Sequence, residues 1–63
     1  MPETVLTIDE AAKYLRVSTR TIRRLMQADE LRGFMIGNRW RFTQSELDAF
    51  MKRQQAKQEP SVA

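Results

Sequence analysis

Apolar residues recur along this chain first with a helical period and then in alternation. Ile8, Ala11, Ala12 and Leu15 stand at i, i+3, i+4 and i+7, one face of a helix over 8–15. Thr7 and Glu10 open it as a capping box: the Thr7 hydroxyl faces the Glu10 N–H and the Glu10 carboxylate reaches back. From Ser18, a good N-cap, Ile22, Leu25 and Met26 fall in one narrow sector and predict a second helix over 18–28. The stretch LRGFMIGNRWRF (31–42) changes to alternation about Gly37-Asn38, the mark of a β-hairpin over 33–42. A second box, Thr43 to Glu46, opens a helix over 44–53 with Leu47, Phe50 and Met51 on its stripe. Beyond Arg53 the period is lost and a Pro intervenes, so a disordered tail is expected over 54–63. Met1 to Leu6 is a short extended lead whose Val5 and Leu6 tuck against the core.

The hairpin admits two registers. A two-residue loop sets Ile36 opposite Arg39 and Phe34 opposite Arg41, which places basic side chains among the apolar ones. A three-residue loop sets Ile36 opposite Trp40 and Phe34 opposite Phe42. A slip of one residue exchanges the faces, and the second register is expected because it collects Phe34, Ile36, Trp40 and Phe42 on a buried face. Arg39 and Arg41 then point outward near the tip. Trp40 is read as core, with stacking on a base as the alternative. The expected core holds Ile8, Leu15, Ile22, Leu25, Trp40, Leu47 and Phe50.

Between the first two helices lies Arg16-Val17, too short for anything but a tight turn, so the pair reads as a helix-turn-helix. Such a turn calls for a left-handed residue, usually glycine, and Arg16 stands in that place. A non-Gly residue there costs on the order of 1 kcal/mol.

Charge changes the picture more than composition does. Seven of the eight arginines (Arg16, Arg20, Arg23, Arg24, Arg32, Arg39 and Arg41) lie between positions 16 and 41. Asp29 and Glu30 are the only acids in that span, so seven cations against two anions leave it at +5. The side of the second helix away from Ile22 carries Arg20, Arg24 and Gln27, with Arg23 on one flank and hardly an acid between them. A helix that is merely soluble mixes Glu with Arg for i,i+4 pairing. Arginine is also the side chain for bidentate contact with phosphates and guanine edges.

The chain has 63 residues, no Cys and no His. One small domain is therefore expected over 1–53, without disulfide, thiolate metal site or imidazole base. No cofactor or metal is expected, and no constellation suggests an enzyme. Without an 18-residue apolar run or a signal-like start, a soluble cytoplasmic protein with no membrane partner is expected.

Three stretches, LTIDEAAKYLRVSTRTIRRLM (6–26), IGNRWRF (36–42) and SELDAF (45–50), together resemble the excisionase-type winged helix-turn-helix domains, relatives of the MerR regulators' DNA-binding domains. The resemblance implies a mainly α fold with a small β-hairpin: three helices plus a two-stranded wing. It implies a sequence-specific double-stranded DNA-binding protein, an excisionase or a transcription regulator. The second helix, capped by Ser18, would enter the major groove with Thr19, Arg20, Arg23, Arg24 and Gln27. Arg39 and Arg41 would be the wing contacts, and further copies of the chain would be cooperative partners on DNA. Two other readings remain open: a protein-interaction module that lays the basic helix on an acidic partner, and the DNA-reading arm of a larger enzyme.

Overall fold

The structure, a computed structural model, describes residues 4–58. Chain order is β1 (Val5–Thr7), α1 (Ile8–Leu15), α2 (Thr19–Gln27), β2 (Phe34–Ile36), β3 (Arg39–Thr43) and α3 (Gln44–Gln58). Local chemistry sets the helix starts. The Glu10 N–H donates to Thr7 Oγ1 at 3.1 Å and the Thr7 N–H donates to Glu10 Oε1 at 2.9 Å, the expected reciprocal box. Ser18 Oγ accepts from the Thr21 N–H at 3.1 Å and caps α2.

The helix ends are set by two left-handed residues. Arg16 adopts φ 61° and ψ 45°, the conformation that the turn requires. Its N–H donates to Lys13 O at 3.2 Å, and the Val17 N–H donates to Ala12 O at 2.9 Å. Asp29, also at φ 61°, ends α2 in the same manner, with the Glu30 N–H donating to Leu25 O at 2.9 Å. Asp tolerates this region better than most residues. The reversal drops Leu31 into the core.

That core is Ala11, Ala12, Ile22, Leu31, Phe42, Leu47 and Phe50, with Leu6, Ile8, Leu15, Leu25 and Met26 packed against it. The paired alanines leave room for close approach to α1. Trp40 is half-buried and stands outside the cluster. Phe42, fully buried, takes the place expected of it.

The wing has three strands rather than two. The order is β1-β3-β2 and both pairings are antiparallel, with Leu6 opposite Phe42 and Thr7 opposite Arg41. A lone two-stranded hairpin is marginal, and the lead supplies the third strand. Leu6 packs inward, but Val5 is exposed on the outer face.

The hairpin register is the two-residue one. Ile36 stands opposite Arg39, Met35 opposite Trp40 and Phe34 opposite Arg41. Gly37 alone in the turn has a positive φ, 64°, the pattern of a type II′ turn whose twist matches the flanking strands. Turn geometry therefore outweighs the gathering of apolar residues. Phe34 and Ile36, expected inside, are exposed beside Arg39 and Arg41, while Met35, Trp40 and Phe42 share the opposite face.

α3 runs past the expected end at Arg53 to Gln58. Thr43 Oγ1 accepts from the Glu46 N–H at 3.2 Å, as a cap should. The Glu46 carboxylate is used elsewhere, accepting from the Arg32 N–H at 3.2 Å and Arg53 Nη2 at 3.3 Å. Arg53 Nη2 also donates to Glu30 O at 3.1 Å, and Gln54 Nε2 donates to Glu30 Oε1 at 3.4 Å. These ties to the loop after α2 give the extra helical turn partners that a sequence period does not reveal. The remainder of the expected tail, 59–63, lies outside the described residues. Among the described residues no helix is long and apolar enough to cross a membrane.

Candidate nucleic-acid interface

The start of α2, the start of α1 and the wing tip enclose a groove of about 570 Å³. Thr19 and Arg23 line the α2 wall, Thr7, Ile8 and Asp9 the α1 wall, and Asn38, Arg39, Trp40 and Arg41 the wing wall. Four of the eight expected site residues (Thr19, Arg23, Arg39 and Arg41) are thus brought together from two segments some twenty positions apart. Thr19 and Arg23, one turn apart, present the same edge of α2.

Arg20, Arg24 and Gln27 lie on the exposed face of α2 but not along this groove. They project from the part of the helix turned farther from Ile22. Ser18 is occupied as the N-cap, its Oγ also 3.1 Å from Thr21 Oγ1. Its contribution is to hold the first turn of α2.

The electrostatics favour an anionic occupant. None of Arg20, Arg23, Arg24 or Arg39 forms an ion pair with an acid among the described residues. The ion pairs among the described residues lie elsewhere, Arg53 with Glu46 within α3 and Lys57 of α3 with Glu30 of the loop after α2. Arg41 is partly buried, and its Nη1 donates to Trp40 O at 2.9 Å, which fixes the guanidinium against the strand. A fixed fork of this kind loses less entropy when it grips an anion. Glu46 and Glu30 are thus engaged with α3 and the loop beside it, and no acid among the described residues pairs with the α2 arginines.

Sequence reasoning missed Thr7, Ile8, Asp9 and Asn38 as parts of the site. The signal for the first three was the capping box itself, which fixes where α1 begins. The pairing of Thr7 with Arg41 then carries that start to the wing. Asn38 was recognised only as turn chemistry, although a two-residue tip presents its side chain to whatever the wing meets.

A family model described as a helix-turn-helix domain matches residues 5–55, which takes in all three strands, both helices of the motif and most of α3. No curated protein and no solved structure matches the chain.

Proposed function

The chain belongs to the excisionase-type helix-turn-helix family of DNA-binding domains, and from that premise we propose that it reads double-stranded DNA by sequence. α2 lies in the major groove, with Arg20 and Arg23 at base edges and Thr19, Arg24 and Gln27 on bases or phosphates. Arg39 and Arg41 hold the backbone beside the wing and set the register without reading sequence. Its role is that of a cytoplasmic transcription regulator or excision factor, with no catalytic step of its own. A domain this small makes few contacts, and copies on neighbouring sites raise occupancy.

The observation that carries the reading is the groove with Thr19 and Arg23 on one wall and Arg39 and Arg41 on another, with the α2 arginines beside it forming no ion pair among the described residues. An acidic protein partner would meet the same charges. Salt titration of duplex binding separates the two. Neutralising about five phosphates gives a slope of log K against log salt near −4 to −5, and Arg39→Ala should make it shallower by about one. A slope near zero, or preference for an acidic peptide over duplex, removes DNA as the partner.

A further inference from the structure

Among the residues lining the groove, Asp9 is the one acid. It is exposed in the first turn of α1, and it forms no ion pair or hydrogen bond with another described residue. The arginines across the groove do not neutralise it. Its carboxylate therefore stands without an ion-pair partner among the described residues where the site is otherwise basic. In a helix-turn-helix the first helix crosses the phosphate backbone while the second reads bases. On DNA bound in that geometry the carboxylate would face phosphates, with no donor to offer them.

We propose that Asp9 is an electrostatic brake that limits the sequence-independent grip of this groove on DNA. The proposal rests on the DNA-binding reading above and adds a residue which opposes binding. Repulsion between Asp9 and phosphate acts on every duplex alike, so it lowers the affinity that Arg39 and Arg41 confer without regard to sequence. Occupancy of a site then depends more on the base contacts of α2, and the chain is not held on random DNA by charge alone. Asp9 also has a local use, because an acid in the first turn suits the helix dipole. That role concerns folding and predicts no change in salt response.

The test compares wild type with Asp9→Asn, Asp9→Ser and Asp9→Glu on a mixed-sequence duplex from low to moderate salt, below the unfolding transition of each. Asp29→Asn controls for net charge: it makes the same change beyond the far end of α2, and Asn tolerates the left-handed backbone there. Asn and Ser at position 9 should each tighten binding about threefold or more at low salt, with a slope steeper by about one. Glu should match wild type, and Asp29→Asn should change binding less. Equal effects at positions 9 and 29, or none at position 9, overturn the brake. So does weaker binding on neutralising Asp9, which would make it a base reader accepting from cytosine. Failure of wild type itself to bind duplex is a different result and sinks the DNA-binding reading instead.

Discussion

The Tyr14 hydroxyl donates a 2.6 Å hydrogen bond to Asp48 Oδ1 and so joins α1 to α3, thirty-four positions apart in the chain. The bond to Asp48, then desolvation and the carboxylate's charge, raise the Tyr14 pKa above 10.0. A raised folded-state value makes this contact's contribution to stability complete below pH 10 and lost as pH rises through the folded pKa. Tyr14 is the only tyrosine, so phenolate absorbance reports it alone. Its midpoint should lie above 10.0 and return toward it in Asp48→Asn. A wild-type midpoint at or below 10.0 would show that the bond is not held in solution.

Gly33 has no room for a side chain. A Cβ there would lie 2.8 Å from Phe42 Cε1 and 3.0 Å from Arg41 O, against a ring at the centre of the core. Gly33→Ala should therefore cost about 1–3 kcal/mol in urea unfolding. Ile36→Thr, on the exposed face of β2, should cost less than about 1 kcal/mol. The reverse order would restore the three-residue hairpin register.

Arg16 holds a left-handed backbone with a branched-off side chain that glycine lacks. Arg16→Gly should raise stability by up to about 1 kcal/mol, through relief of that strain less the added freedom of the unfolded chain. Arg16→Val should lower it, since a β-branched residue tolerates positive φ poorly. Thermal unfolding of the two variants measures both, and an unchanged midpoint in each would mean that the turn relaxes around any residue.

Arg23 lines the groove and Arg20 projects beyond it, yet both are proposed base readers. Alanine at either position should cost about 1–3 kcal/mol more on the cognate duplex than on random DNA. Lysine should restore only part of the loss, because it keeps the charge without the planar fork. Equal losses on both duplexes, fully rescued by lysine, would reduce these arginines to phosphate contacts.

What the sequence determined by itself was whatever neighbouring residues decide. Thr7 with Glu10, and Ser18 with Thr21, meet within one turn, so both helix starts follow from a few adjacent side chains. The left-handed state of Arg16 follows likewise from the shortness of its turn. The unbalanced charge of α2 needs no tertiary contact to be seen. The wing was decided by tertiary structure, because β1 pairs with β3 across more than thirty positions and no local period announces that partner. Its register followed turn geometry over apolar gathering: a type II′ Gly-Asn tip fixes the pairing from its own backbone, and the projecting strand has no core within reach of Phe34 and Ile36. Only after that pairing do Thr7, Asp9 and Arg41 line one groove. Juxtaposition across the chain is a property of packing, and it is where Asp9 acquires a meaning that its place in a capping box does not give it.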